Sequence, residues 1–376
     1  MNSPKRHRTP SLAAIAALIL TLLITVSFAG CEMASLLPVL KDPSHSNNPI
    51  ETPPTTTPPV TTAPEEPPVE IIRYFNPLTG LETTETLSLS RPVAFCLGNT
   101  AYSLPQFGIG SSDVLLEFPI ENGATRLVMM TTDFETIGKI GPIRSTRDYI
   151  ADIVGAFDAI QLYAGTSDQA ASVLYPKYDT LDYLTQNLQS LCYRDTSRVM
   201  PHNLMTTGAL TASEITRLGY RREISETVTM PWCFVEFGES VVAGDRTCTQ
   251  LLLTYSQSHN AKLVYDAASG EYTRYQLGEA HLDANDATAL SFKNLLILFS
   301  DSATYETADG SAFSLMLGSG TGLYVTDGTA RNIRWSYEGG TLSFFDADGN
   351  PLTVNRGSSY VGFMKVSERD QAQILK

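Results

Sequence analysis

Two arginines, a serine and an aspartate lie within five consecutive positions, directly after a Gly141-Pro142 turn. They are Arg144, Ser145, Arg147 and Asp148. The apolar positions from Tyr149 to Phe157 recur at helical spacing, and Ser145 or Thr146 is placed to cap that helix. Guanidinium groups bind carboxylate or phosphate through paired hydrogen bonds, and a helix N-terminus favours anions, so the pattern predicts an anion-binding site. The alternative is that the arginines pair with Asp113, Glu117 or Asp148 in a structural network.

A second polar group surrounds His202, which lies between Pro201 and Asn203. Arg194, Asp195 and Arg198 lie just upstream. A histidine acts as acid or base near neutral pH, so His202 could activate Ser145 as a nucleophile, with Asp148 or Asp195 orienting the imidazole. However, no Gly-x-Ser-x-Gly or Ser-x-x-Lys motif surrounds Ser145. A turn in which the imidazole bonds to backbone is the simpler interpretation.

These two groups define the predicted site. The ligand-binding residues are Arg144, Arg147, Arg198, His202, Asn203, Asp113 and Glu117, and the catalytic candidates are His202, Ser145 and Asp148. Cys192 is a weaker candidate nucleophile, because nothing near it in the sequence lowers its pKa. The four cysteines after residue 31 show no metal-ligand spacing, so no metal and no cofactor is predicted. Cys233 and Cys248 could form a disulfide in an oxidising compartment, which their spacing leaves open.

The N-terminus predicts export and attachment to a membrane. Basic residues and an apolar run from Leu12 to Phe28 precede Ala29-Gly30-Cys31, so residues 1–30 are predicted to be a signal peptide and Cys31 to be lipidated. An uncleaved membrane anchor is the alternative. Residues 31–73 are rich in Pro and Thr and are predicted to be a disordered stalk. Without residues 1–30 the chain has 23 Lys+Arg against 40 Asp+Glu, a net charge of −17 that argues against binding nucleic acid.

The globular part predicts an α+β fold in two domains. Strand-like and helical segments alternate over residues 74–230, which predicts a mixed α/β domain, with an Asn122-Gly123 hairpin between two of its strands. Residues 231–376 contain short alternating runs separated by Asp-Gly and Gly-Gly turns, which predicts a mostly antiparallel β domain. The aromatic residues Trp335, Tyr337, Phe344 and Phe345 form either the buried face of this sheet or a carbohydrate-binding platform.

Several short stretches together resemble the YerB-like family of bacterial lipoproteins, which is a two-part domain of unknown function. The stretches are Asn76-Pro-Leu-Thr-Gly80, Arg91-Pro-Val93, Ser112-Asp-Val114, Gly123-x-Thr-Arg126, Ile140-Gly-Pro-Ile-Arg-Ser-x-Arg147, Pro201-His-Asn203, Tyr272-x-Arg274 and Gly318-x-Gly320. The resemblance covers nearly all of the globular chain. It implies an extracytoplasmic, membrane-anchored location and a two-part fold, but no reaction.

Together these observations favour a lipid-anchored protein on the extracytoplasmic face of the cell membrane. Its predicted role is to bind an anionic ligand, a wall polymer fragment or an envelope protein in a cleft lined by arginines and His202. A hydrolase or transferase of the cell wall that uses Ser145 or His202 is the first alternative. A purely structural assembly protein of the envelope is the second.

Overall fold

A computed structural model describes residues 72–244, 246–307 and 310–376. The predicted signal peptide, the lipidation at Cys31 and nearly all of the predicted stalk lie outside these residues. None of the helices in the described part is long and apolar enough to cross a membrane.

All four α-helices of the described ranges lie before residue 230, together with nine short strands. The helices are α1 (Glu85–Leu89), α2 (Asp148–Gly155), α3 (Asp168–Leu174) and α4 (Gly208–Leu218). The strands are β1 (Tyr74–Phe75), β2 (Glu82–Thr83), β3 (Val93–Gly98), β4 (Val114–Pro119), β5 (Thr125–Thr131), β6 (Ile160–Tyr163), β7 (Thr180–Asp182), β8 (Tyr193–Arg194) and β9 (Leu204–Met205).

The described chain after residue 230 consists of strands, turns and one 3-10 segment. The strands are β10 (Cys233–Phe234), β11 (Arg246–Thr247), β12 (Gln250–Ser256), β13 (His259–Asp266), β14 (Glu271–Gln276), β15 (Glu279–Ala280), β16 (Ser291–Phe292), β17 (Asn294–Thr307), β18 (Gly310–Met316), β19 (Ser319–Thr326), β20 (Thr329–Glu338), β21 (Thr341–Phe345), β22 (Thr353–Val354), β23 (Ser359–Lys365) and β24 (Ala372–Leu375). The predicted α+β fold is therefore confirmed in part: the described chain is mostly β, and its α-helices lie before residue 230.

One large sheet combines strands from both ends of the chain. Its order is β11-β20-β19-β17-β23-β4-β5-β3-β6-β7, with β18 paired to β17 and β21 paired to β20. A smaller sheet has the order β15-β14-β13-β12-β24, with β16 paired to β14. Because β4 pairs in parallel with β23, the sheet crosses the predicted domain boundary at residue 230 without a break.

The large sheet is covered by different layers on its two faces. On one face, side chains such as Phe95 and Ile297 pack against Leu251 and Leu263 of the smaller sheet. On the other face, alternate residues of the same strands pack against the apolar side of α2. Strand residues alternate between faces, so neighbouring positions in β4 and β5 serve different layers. This alternation decides which polar side chains can meet.

Local sequence signals explain several connections. Asn122 and Gly123 have φ values of 60° and 68°, and they join the antiparallel strands β4 and β5 as predicted. Trp335 and Phe344 are about 1% exposed, which places them on the buried face of the sheet and not on a carbohydrate-binding platform. Cys233 and Cys248 are both free, Cys233 exposed and Cys248 buried.

Candidate functional site

An extended segment, residues 140–146, positions the predicted anion site. Its backbone hydrogen-bonds to three neighbours: Arg144 N donates to Cys96 O at 2.8 Å, Ala164 N to Arg144 O at 3.0 Å, and Thr146 N to Gly165 O at 3.2 Å. These bonds hold the segment extended, so α2 begins only at Asp148, after Arg147. The prediction that Ser145 or Thr146 caps the helix is therefore wrong, and no side chain caps its N-terminus.

Arg147 is the one arginine of the predicted site that forms an ion pair among the described residues. Its Nε and Nη2 donate to the two carboxylate oxygens of Glu121 at 2.8 and 2.5 Å. Burial alone raises the pKa of Glu121, but the hydrogen bonds and charge of Arg147 outweigh this and lower it. The predicted partners Asp113, Glu117 and Asp148 form no ion pair with Arg147 among the described residues. Glu121 therefore neutralises one guanidinium of the site.

Arg126, at the start of β5, is a buried arginine without such a partner. Its side chain is 5% exposed, its Nε has no hydrogen-bond partner among the described residues, and no described carboxylate pairs with it. Its one hydrogen bond is from Nη2 to Ser145 Oγ at 3.5 Å. Burial, followed by the charges of Arg147 and Arg144, lowers the pKa of Arg126 to about 10. A buried cation among other cations is a strong site for an anion.

Arg144 and Arg194 add two further guanidinium groups. Arg144 is half-buried, and its Nη1 has no hydrogen-bond partner in the described part of the chain. Burial and then the charges of Arg147 and Arg194 lower the pKa of Arg144. Arg194 is exposed and is held by a hydrogen bond from its Nη1 to Asn203 Oδ1 at 2.9 Å. We call Arg126, Arg144, Arg147 and Arg194 the arginine cluster.

Gly98 in β3 provides the space for this cluster. β3 and β5 pair Gly98 with Arg126, so the two residues lie side by side on the face covered by α2. A Cβ atom at Gly98 would lie 2.5 Å from Ser103 Oγ and 3.1 Å from Arg144 Cγ. A side chain at this position would therefore displace both neighbours.

His202 lies beside the cluster but does not pair with Ser145. Its Nδ1 is 3.0 Å from Ser103 Oγ and 3.4 Å from Thr100 Oγ1, and its ring stacks on Tyr102 with 5.7 Å between centroids. Burial and then the charges of Arg144 and Arg126 lower the pKa of His202. Ser145 Oγ instead accepts a hydrogen bond from Arg147 Nη1 at 3.1 Å. The predicted Ser–His pair is not formed.

The predicted carboxylates do not orient the histidine either. Asp195 accepts a hydrogen bond from Lys139 Nζ at 2.6 Å, and Asp148 Oδ1 accepts one from the backbone N–H of Tyr149 at 2.9 Å. Cys192, the weaker nucleophile candidate, is buried, and burial raises the pKa of its thiol to about 12. The described residues contain no cluster of ligands that could hold a metal ion. The geometry therefore supports binding more than nucleophilic catalysis.

Three other predicted ligand residues have internal partners. Arg198 donates to the backbone carbonyls of Ser103 and Pro105 at 3.1 and 2.7 Å, so it fixes the loop that carries His202. Asp113 accepts a hydrogen bond from the backbone N–H of Thr132 at 2.9 Å and two or more from neighbouring side chains. Glu117 lies on the opposite face of the large sheet from Arg126, because β4 and β5 pair it with Leu127. The structure does not bring Asp113 or Glu117 to the arginine cluster.

A cavity of about 380 Å³ opens beside three residues of the predicted site, Ser145, Arg147 and Asp148. Glu121 and the residues just before α3 also line it. Arg126 is not a lining residue, but it donates a hydrogen bond to Ser145, which is one. The prediction missed Arg126 and Arg194, although the short Gly123-x-Thr-Arg126 stretch had marked the first of them.

The fold and site define a two-part, mostly β protein with a cluster of four arginines. Two family models match it: the N-terminal domain of the protein of unknown function DUF3048 over residues 78–221, and the C-terminal domain of the same family over residues 251–361. The chain belongs to this family.

Two comparisons with Bacillus subtilis YerB support the assignment. The YerB sequence of strain 168, whose name describes it as a candidate lipoprotein, is 25% identical over 306 residues, covering 80% of this chain and 88% of YerB. The crystal structure of YerB matches with a TM-score of 0.70 and 23% identity, covering 81% of this chain and 100% of that one. The resemblance to the YerB-like family is thereby confirmed, and the second comparison establishes a shared fold.

Proposed function

We propose that this protein is anchored through Cys31 on the extracytoplasmic face of the membrane and binds an anionic group in the arginine cluster. The observation that carries the proposal is Arg126, a buried guanidinium with no carboxylate partner among the described residues. The chain as a whole is acidic, with a formal net charge of −14, so carboxylates are plentiful elsewhere. Arg126, Arg144 and Arg194 have no carboxylate partner among the described residues, which favours an external anion as the partner.

The donors of the cluster suit a carboxylate or a phosphate. Arg126 Nε and Arg144 Nη1 both lack partners in the described chain, and Arg194 is held on one side only. Guanidinium groups bind both anions through parallel hydrogen bonds, and such charge-assisted bonds are the stronger ones. A peptide carboxylate or a phosphate of a wall polymer fragment carries this chemistry, and an exported, membrane-anchored protein would meet both.

The full-length protein, purified in a neutral detergent, should bind muropeptides from digested peptidoglycan or inorganic phosphate. We expect Arg144→Gln to weaken this binding roughly tenfold or more, because hydrogen bonds to charged groups contribute about 1.5–3 kcal/mol. Isothermal titration calorimetry measures the change. Arg222→Gln is the matched control, since Arg222 is exposed and pairs with Glu135. Equal affinity for the parent protein and Arg144→Gln would contradict the proposal.

Anion binding should also depend on the protonation of His202. The pKa of His202 is lowered in the free protein, so folding favours the neutral imidazole and His202 is neutral at pH 7. A bound anion attracts the imidazolium and reverses this shift, so affinity should rise as the pH falls from 7.5 to about 5.5. Sulfate is the suitable probe because it does not titrate in this range. In His202→Gln the affinity for sulfate should no longer change with pH. If it still rises as the pH falls, the pH dependence belongs to another group.

A further inference from the structure

A second cavity, of about 640 Å³, lies where the large sheet and the smaller sheet diverge. We call it the inter-sheet cleft. Strands β11, β19 and β20 of the large sheet form one wall, and β24 with the 3-10 segment before it forms the other. The cleft is separate from the arginine cluster, since none of its lining residues belongs to residues 72–244.

Three exposed arginines line the cleft: Arg246, Arg334 and Arg369. Each bonds to a neutral oxygen: Arg246 to Asn332 Oδ1 at 2.9 Å, Arg334 to the carbonyl of Ala347 at 3.2 Å, and Arg369 to Thr321 Oγ1. No ion pair with a carboxylate is formed by any of them among the described residues. Asp370 is the one acidic residue of the described lining. The cleft therefore carries a net positive charge in an acidic protein.

The floor of the cleft is apolar. Phe299 and Leu323 are 4% and 8% exposed, and Ile374 is half-buried. The guanidinium of Arg369 lies over the ring of Phe299, 4.8 Å from its centroid. The protein itself already covers most of this floor, so the arginines are the groups that the cleft offers to a ligand. They favour an acidic ligand.

One wall also offers a free strand edge. Within the described chain β24 pairs with β12 alone, so the smaller sheet ends at β24. The backbone N–H and C=O groups on the outer side of an edge strand can pair with an added strand. The strand register places Arg246 and Arg334 on the same face of the large sheet as Leu323. Because side chains of an added strand alternate between two directions, every second residue of that strand would face this surface and its arginines.

We propose that the inter-sheet cleft binds an extended peptide segment with acidic side chains at alternate positions, added along β24. Its carboxylates face the large sheet and pair with Arg246, Arg334 and Arg369. An anionic polysaccharide would satisfy the arginines but would not use the strand edge. The site is independent of the arginine cluster, so either proposal can fail without the other.

The probe for this site is a fluorescein-labelled peptide of alternating valine and glutamate, added to the full-length protein in neutral detergent. Fluorescence anisotropy should show binding that falls about fivefold or more in Arg334→Gln and in Arg369→Gln. Asp370→Asn should bind the peptide about two- to fivefold more tightly, since it removes the one repulsive charge. A gain of affinity cannot result from misfolding. Arg217→Gln, which removes an exposed arginine of α4, should bind like the parent.

Three results would overturn the proposal. The first is unchanged affinity in both arginine variants together with no gain in Asp370→Asn. The second is equal binding of a peptide N-methylated at alternate residues, which cannot add to the strand edge. The third is displacement of the peptide by heparin at a lower concentration than by unlabelled peptide, which would assign the cleft to anionic polysaccharides.

Discussion

Replacement of Arg126 by methionine is expected to make the protein more stable while removing its ability to bind anions. Arg126 is 5% exposed and has no carboxylate partner in the described chain, and the charges of Arg147 and Arg144 oppose its own. Methionine has a similar length without the charge. We expect the free energy of unfolding in anion-poor buffer to rise by about 1–3 kcal/mol, since replacing a poorly compensated buried charge by an apolar residue is often stabilising.

Urea denaturation measures this change, with and without added phosphate. Phosphate should stabilise the parent protein through binding to the folded state and should leave Arg126→Met unaffected. Arg91→Met is the matched control, because Arg91 is 7% exposed but pairs with Asp158 and Asp179. Removing that arginine leaves Asp179 without its ion-pair partner, whereas Asp158 keeps Arg221. It should lower the free energy of unfolding by about 1–3 kcal/mol. Loss of stability in Arg126→Met as well would show that Arg126 serves the fold.

Replacing Arg126 and replacing Arg91 should change the free energy of unfolding in opposite directions. This difference shows a limit of prediction from sequence. Arg91 and Arg126 each stand beside a buried strand, and nothing in their local sequence separates them. They differ in their long-range neighbours, since Asp158 and Asp179 face Arg91 whereas Arg144 and Arg147 influence Arg126. Local pattern predicts that a residue is buried, but the charge that meets it depends on the folded chain.

Local signals predicted the elements better than they predicted the side-chain partners. The Asn122-Gly123 hairpin and the helix over Tyr149 to Phe157 were both predicted near their observed positions, because turn chemistry and helical periodicity act over a few residues. The helix cap at Ser145 was wrong because the cap competes with strand-like bonds to Cys96 and Gly165. Those partners are distant in the sequence, so the pattern at residues 140–148 does not contain them.

The pairing of β4 with β23 also could not be predicted from the local sequence pattern. It joins residues near 115 to residues near 360, in parallel, and it places both family domains in one sheet. A composition change near residue 230 correctly marks the loss of helices, yet strands on both sides of it share hydrogen bonds. Hydrophobic periodicity shows that β4 is buried on both faces and gives no information about its neighbour.

Replacement of Arg274 by methionine is expected to destabilise the protein strongly. Arg274 and Glu117 are both buried, and Arg274 Nη2 donates to Glu117 Oε2 at 2.7 Å. Glu117 also accepts hydrogen bonds from Asn99, Thr125 and Tyr360 at 3.1, 2.8 and 2.8 Å. Without Arg274 this carboxylate would remain buried without its counter-charge. We expect the free energy of unfolding to fall by about 3–5 kcal/mol.

The network around this pair extends across both family domains. Arg274 Nη1 donates to Gln276 Oε1 and to Nδ1 of His281, and His281 Nε2 donates to Gln106 Oε1 at 2.6 Å. Burial and then the charge of Arg274 lower the pKa of His281 far below its usual value, which agrees with a neutral ring that accepts at Nδ1. Arg274, from the C-terminal family domain, therefore organises polar groups that the N-terminal domain contributes.

Urea denaturation of a double-mutant cycle with Glu117→Gln tests this role. If Arg274→Met loses stability because the Glu117 carboxylate is left without its counter-charge, the double variant should recover part of that stability. Lys177→Met is the control, since Lys177 forms an exposed pair with Asp152 and its loss should cost less than about 1 kcal/mol. Additive losses in the double variant would mean that the two side chains contribute separately.

The same experiment examines whether the two family domains fold as one unit. β23 supplies the parallel neighbour of β4, and Arg274 supplies the charge opposite Glu117, so residues 72–230 alone would lose both. The parent protein should therefore unfold in a single transition, with fluorescence and circular dichroism curves that coincide. In Arg274→Met the midpoint should shift while the transition stays single, because the shared sheet remains. If fluorescence and circular dichroism show separate transitions in Arg274→Met, the sheet pairing contributes less to cooperativity than the buried ion pair.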